Sequence, residues 1–206
     1  MRGVVLVVSG PSGGGKTTVV ERLRRRLPRL VRSVSVTTRP PRTGERQGRD
    51  YRFVSPRTFE RLRRSGQLLE WATVHQAWYG TPKRPVLRAL AEGRPMVLSI
   101  DVQGAKKVRR TLGARAVTVF LLPPSMRRLR ERLLQRRTDS PAAIRRRLMV
   151  ARRELACAAS YDYRVMNDRL GQTIRTIETI VKRELAKRAT ERGAVSGWRR
   201  YPSKGS

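Results

Sequence analysis

The sequence predicts an α/β fold in which a parallel sheet is flanked by helices. Three observations predict it. Residues 3–9 are uncharged and β-branched, and they run through a glycine loop at 10–15 into helical periodicity over 16–27. Residues 96–101 and 116–122 repeat the near-continuous hydrophobicity of strands buried on both faces. Between the first two of these strands lies a turn-rich stretch with short alternating segments, which reads as a small mixed lobe inserted into the core.

The elements follow in order. Strand, glycine loop and helix open a parallel unit, and Val19, Val20, Leu23 and Leu27 fall near one helix face. The right-handed crossover rule sets the next core strand beside the first or one removed. Ser33 to Thr38 alternates and reads as extended, a turn follows at Arg39 to Gly44, and Tyr51–Val54 is a short strand. Ser55-Pro56 starts a short helix carrying Phe59 and Leu62 that stops near Gly66. Leu68–Ala72 and Trp78–Gly80 are further short strands, and Pro82 opens a helix to about residue 92. A basic helix spans 103–112. Ser125 can cap the first of two Arg-rich helices over 126–156, broken at 138–141 and charged enough to form a mobile, solvent-facing cap. Asp162–Asn167 is a last short strand. Residues 172–190 are a last helix, with Ile174, Ile177, Val181 and Leu185 at helical spacing. The basic tail from Glu191 is predicted to fray.

At 206 residues the chain can bury one sizeable core with small lobes attached. No run approaches the roughly 18 apolar residues of a membrane span, and the apolar start flows into a glycine turn, unlike a signal peptide. Cys157 and His75 are the only residues of their kinds, which excludes an intrachain disulfide and any multi-cysteine or multi-histidine metal site. A soluble, cytoplasmic protein is predicted. Lys plus Arg number 48 against 15 Asp plus Glu, a formal net charge of +33 that attracts polyanions in general. The arginines are spread along helices and aromatics are only 5%, too few for base-stacking platforms. Nonspecific polyanion binding is therefore expected, without a specific nucleic acid partner.

Gly10-Pro11-Ser12-Gly13-Gly14-Gly15-Lys16-Thr17 matches G-x-x-x-x-G-K-[ST] between a strand and a helix. Glycines let the backbone curl its N–H groups toward phosphate oxygens, and the helix N-terminus adds positive potential. Lys16 can reach the β- and γ-phosphates and Thr17, followed by Thr18, can offer its hydroxyl to Mg²⁺. Asp101 ends a buried strand, as an acid near that metal would, or as a cap of the next turn. The loop implies a nucleoside triphosphate and does not separate a kinase from a GTPase, an ATPase or a transporter subunit.

Arg39 and Arg42 bracket a Pro-Pro turn and can grip a phosphate, with Tyr51 and Tyr79 as hydroxyl donors. Glu70 lies in an apolar run, where a bare acid is costly. One carboxylate can accept from both N1–H and the 2-amino group of guanine. Adenine has no such pair. Glu70 thus fits a guanine reader, with Ser35 and Thr81 as minor contacts. Each of these residues also has an ordinary reading as a surface Arg, core-edge Tyr or ion-paired Glu.

Over about residues 3–188 the chain resembles the guanylate kinases. The matching segments are the P-loop; Ser35-Val36-Thr37-Thr38-Arg39-Pro40-Pro41-Arg42 with Gly44-Glu45; Gly48 to Val54; Leu69-Glu70-Trp71; Tyr79-Gly80-Thr81-Pro82; Ile100-Asp101-Val102-Gln103-Gly104; Leu122-Pro123-Pro124-Ser125; Arg136 with Thr138-Asp139; and Tyr161-Asp162-Tyr163 to Asn167-Asp168. The resemblance implies a P-loop kinase core (1–34, 83–125 and 157–190), an inserted small mixed α/β nucleotide-monophosphate lobe that binds GMP (35–82), a helical lid (126–156) and a flexible basic tail (191–206). By similarity Arg39, Arg42, Tyr51 and Tyr79 hold the GMP phosphate, Ser35, Glu70 and Thr81 contact guanine, and Glu45 supports the arginines. Asp101 matches an acid between guanine site and metal. Arg132, Arg136 and Arg147 match lid arginines that approach the phosphates or stack on adenine, and Asn167 lies beside the adenine. Two positions depart from the pattern: Ser99, in the GMP site, stands where an acid is usual, and Arg137 where a glycine is usual.

The implied reaction is ATP + GMP ⇌ ADP + GDP with Mg²⁺. Its acceptor phosphate is largely ionised near pH 7, so no general base is needed and His75 is read as structural or peripheral. The alternatives are a P-loop kinase for another phosphorylated acceptor, a non-catalytic guanylate-kinase-like interaction module, and a nucleic-acid-binding protein. The assembly is expected to be a monomer or homodimer.

Overall fold

The computed structural model describes residues 3–74, 76–135 and 140–197. Its core is a five-stranded sheet, all parallel, with strands β1 (Val5–Ser9), β2 (Val31–Arg32), β7 (Met96–Ser99), β8 (Ala116–Leu122) and β9 (Tyr163–Met166) in the order β2-β7-β1-β8-β9. The next core strand after β1 is thus one removed, as the crossover rule anticipates. β2 is a two-residue strand that begins before the extended segment expected at residue 33; so short a run carries no alternation to read.

Every residue of β1 is buried because helices cover both faces. Val4, Leu6 and Val8 pack with Val19, Val20 and Leu23 of α1 (Lys16–Arg26) and with Ile174, Ile177 and Val181 of α7 (Leu170–Gly197). Val5 and Val7 point the other way, against Val86 and Leu90 of α3 (Lys83–Ala91) and Ala105 and Val108 of α4 (Val102–Leu112). The period of two along the strand thus sorts successive side chains into two cores. Fully burying each such Val or Leu is worth about 1.5–3 kcal/mol. The last helix runs on to Gly197, beyond the end expected at 190.

The inserted lobe carries a second, mixed sheet of β3 (Val36–Thr37), β4 (Arg52–Phe53), β5 (Leu68–Val74) and β6 (Ala77–Pro82) in the order β4-β3-β6-β5. Its apolar side closes on Phe59 and Leu62 of α2 (Pro56–Arg64), a helix capped by Ser55 with Pro56 in its first turn. Beyond β8, α5 (Met126–Leu134) and α6 (Pro141–Ala156) form the helical lid, capped by Ser125 and Ser140. Expected to be solvent-facing, these helices bury an inner stripe: Leu129 and Leu133 of α5, Ile144 and Ala151 of α6. Long arginines coat the other side.

Candidate active site

A cleft opens at the carboxyl ends of β1 and β7, where successive connections leave the sheet in opposite directions and open α/β sheets bind ligands. The P-loop forms one wall. Gly10, Gly13 and Gly15 adopt φ of 142, 85 and 88°, values that disfavour any side chain. A Cβ on Gly10 would stand 2.6 Å from the Leu121 carbonyl oxygen, and one on Gly15 2.5 Å from Nδ2 of Asn167. The loop closes on itself: the Gly14 N–H donates to the Pro11 carbonyl at 2.9 Å, and Lys16 Nζ donates to the carbonyls of Gly10 and Pro11 at 2.6 and 3.1 Å. Ser12, Gly13, Gly15, Lys16, Thr17 and Thr18 line the cleft, and Gly10, Pro11 and Gly14 form the backbone behind them.

The lobe forms the facing wall. Arg39 donates from Nε to the Tyr79 hydroxyl at 3.1 Å and from Nη2 to Glu45 at 2.9 Å, and it lies over the Tyr51 ring. Glu45 also accepts the Arg42 backbone N–H at 2.8 Å. Burial is the largest single influence and opposes the charges of Arg39 and Glu45, but their mutual hydrogen bond, the bonds to Tyr79 and the Arg42 N–H, and the attraction of opposite charges together outweigh it, so the arginine pKa rises and the acid's falls. Glu45 therefore stands behind the arginine turn while Arg39, Arg42, Tyr51 and Tyr79 face the cleft.

Glu70 is buried in β5 with 5% exposure and accepts the Thr81 hydroxyl at 2.6 Å. Desolvation pushes its pKa from 4.5 to about 7, with Asp101 adding to the rise and Thr81 and Lys107 opposing it. Thr81 is fully buried behind it, and Ser35 and Ser99 line the same wall. The close approach to α4 depends on Gly104, where a Cβ would lie 2.7 Å from Glu70 Oε2.

Residues 2–184 match the family model for guanylate kinase. The chain belongs to the guanylate kinase family. It is 51% identical over 181 residues to the guanylate kinase of Gloeobacter violaceus, covering 88% of each chain. With that of Rhizobium etli it shares 46% identity over 192 residues, 93% of this chain and 87% of the other. The crystal structure of guanylate kinase from Anaplasma phagocytophilum superposes with a TM-score of 0.76 at 35% identity, covering 89% of this chain and 87% of that one. The protein is accordingly an enzyme of the phosphotransferase class, with the α/β core, mixed lobe and helical lid of a guanylate kinase.

Use of Mg-ATP is a property of this kinase family, and the donor set at the cleft suits the ion. Thr17 and Asp101, both hard oxygen donors, line it together. No cluster of three or more His, Cys, Asp or Glu side chains exists among the described residues. Magnesium commonly binds through one or two protein oxygens, completing its shell with phosphates and water. Asp101 also caps α4, accepting the Gly104 N–H at 2.8 Å, so the capping reading of this residue holds. Burial raises its pKa, partly offset by that bond and by Lys16.

Two residues expected at the nucleotide, Asn167 and Arg132, are joined to each other beside the P-loop. Asn167 is buried and donates from Nδ2 to the Gly14 carbonyl at 2.7 Å, bracing the loop from behind. Arg132 donates to the Asn167 carbonyl at 2.9 Å. Arg147 lines the cleft from α6. Arg136, Arg137 and His75 lie outside the described residues. Sequence reasoning passed over Glu154, which lines the cleft from α6. An acid inside an Arg-rich helix reads as one half of a surface ion pair. Gly104 went unremarked as a packing residue because only the fold brings α4 against β5. No described helix is long and apolar enough to cross a membrane.

Proposed function

We propose that the cleft transfers the terminal phosphoryl group of ATP to GMP, giving ADP and GDP, with the P-loop holding the donor and the lobe the acceptor. Guanylate kinase activity follows from membership of the family. The observation that carries the division of labour is the pairing of a P-loop wall with an Arg39–Glu45–Tyr79 wall across one cleft. Residues 1–34, 83–125 and 157–190 act as the core, 35–82 as the GMP lobe and 126–156 as the lid.

Lys16 neutralises charge on the transferring phosphoryl group. Arg39 and Arg42, with the Tyr51 and Tyr79 hydroxyls, hold the GMP phosphate and offset repulsion between two polyanions. Glu70 accepts from guanine N1–H and the 2-amino group, held in place by Thr81, with Ser35 and Ser99 beside it. Ser99 takes the place of a usual acid without removing any phosphate-handling group. Arg147 serves the donor phosphates from α6 and Arg136 is given the same role by family similarity alone, while Arg132 and Asn167 act by bracing the P-loop. Thr17 and Asp101 would hold Mg²⁺, which when bound screens the charge of the β- and γ-phosphates. The acceptor oxygen is already ionised near pH 7, so alignment and charge neutralisation are the chemistry required. Closure of lid and lobe excludes water, which would otherwise hydrolyse ATP.

Coupled ADP release with Mg-ATP and each of GMP, AMP, UMP and CMP tests the reading. Turnover selective for GMP is expected. Lys16→Met should lower kcat by orders of magnitude with an unchanged circular dichroism spectrum, and near-normal kcat in that variant would overturn the role given to the P-loop.

A further inference from the structure

The chemistry above leaves Glu154 without a task. Arg147, Val150 and Glu154 are spaced i, i+3 and i+7 on α6, so they share one face, and all three line the cleft. Glu154 Oε2 is buried and has no hydrogen-bond partner. Burial raises the pKa of the group, and Asp101 adds to the rise. The Lys16 ammonium and the Ser12 backbone N–H act the other way and favour the anion. A carboxylate from the lid helix is thus held at a loop whose backbone is shaped for phosphate. The Ser12 N–H and the Lys16 charge that favour it are groups a phosphate would use. An ordinary surface glutamate gains nothing from this position, because a buried anion with one oxygen unsatisfied is costly.

We propose that Glu154 is a positioning residue for the donor nucleotide: its carboxylate shares the Ser12 N–H and Lys16 with the phosphates of ATP and yields them as the triphosphate enters. This rests on the reading that ATP phosphates bind the P-loop. The exchange couples two events. Phosphate entry takes the donors from Glu154, and Glu154 belongs to α6, so the same step that seats ATP changes what holds the lid helix to the loop. Arg147, two turns back on the same face, is then carried with α6 relative to the phosphates. Binding and lid movement become linked equilibria, each biasing the other by the same factor.

Glu154→Gln keeps the size of the side chain and removes its charge. Calorimetric titration of the full chain with ATP, once with Mg²⁺ and once with excess EDTA, reads the effect directly, with GMP as control. Glu154→Gln should bind ATP about fivefold more tightly or better in both conditions, the low end of coupling between linked binding events. GMP affinity should not change, and the melting temperature should hold or rise as a buried carboxylate with one unsatisfied oxygen is lost. Glu154→Asp, which draws the carboxylate back by one methylene, should fall between the two. ATP binding equal to or weaker than the parent chain overturns the proposal. Weakening seen only with Mg²⁺ assigns Glu154 to the metal's water shell, and weakening of ATP and GMP together with a lower melting temperature makes it a packing residue; either result also overturns it. If the parent chain binds no ATP, the P-loop reading falls and takes this one with it; if the parent binds and Glu154→Gln gains nothing, only Glu154's role falls.

Discussion

Glu70 shows how one side chain sets specificity at a cost in stability. Desolvation lifts its pKa from 4.5 to about 7, so ionising it in the fold is uphill. Reading guanine needs the ionised form, since two donors on the base require two acceptor oxygens. The sign of the stability effect follows from proton counting. Below about pH 4.5 the carboxyl is protonated folded or unfolded. Between 4.5 and 7 the unfolded chain loses the proton first, so the fold holds more protons and stability falls as pH rises. Above about pH 7 that contribution is fully lost. Glu70→Gln should therefore flatten the urea midpoint between pH 4.5 and 7, and a curve parallel to the parent's would contradict the shifted pKa. The same variant should raise KM for GMP at least tenfold with little change in KM for ATP, because an amide offers one acceptor oxygen and sets a donor against a donor. Equal rises in both constants would remove Glu70 as the base reader.

At the scale of elements, the lid and the P-loop are one packed unit. Leu129 and Leu133 of α5 are fully buried, and a Cβ on Gly13 would stand only 3.0 Å from Leu133 Cδ2. Arg132, one residue along, donates to the Asn167 carbonyl, and the Asn167 amide donates to Gly14. Apolar seat and hydrogen-bond brace thus act on adjacent loop residues. Leu133→Ala should destabilise by about 2–5 kcal/mol, the range for such core truncations. It should also raise KM for ATP more than KM for GMP, as read by chemical denaturation and steady-state kinetics. A stability loss with both constants unmoved would separate α5 from the loop. The sequence made α5 legible as a helix through Ser125 and its leucine spacing, and it made the P-loop legible outright, because eight residues in a row carry that motif. Pairing across the chain was not legible. Asn167 bracing Gly14, Gly104 yielding space to Glu70, and Glu154 reaching Ser12 each join residues far apart in sequence. Each takes its meaning from the neighbour it meets. β2 escaped because two residues give no period.

At the scale of the whole molecule, the surface carries far more positive charge than its acids can answer. The net charge is +33, and five carboxylates, Glu60, Glu92, Glu131, Glu178 and Glu184, each already serve two cations. Exposed pairs of this kind add little stability apiece. The field they leave behind acts at long range. ATP and GMP are both polyanions, and a cationic surface raises their encounter rate with the cleft. That field is screened over about 10 Å at 0.1 M salt and about 3 Å at 1 M. The contacts inside the cleft respond differently, since Arg39 is tied to Glu45 and Tyr79, and Lys16 lies against the loop carbonyls. Encounter and chemistry should therefore separate on a salt titration. Raising salt from about 0.05 to 0.5 M should lower kcat/KM for GMP severalfold while kcat holds within a factor of about two. If kcat falls in step with kcat/KM, salt is reaching the phosphates inside the closed cleft, and the surface charge is not what brings the substrates in.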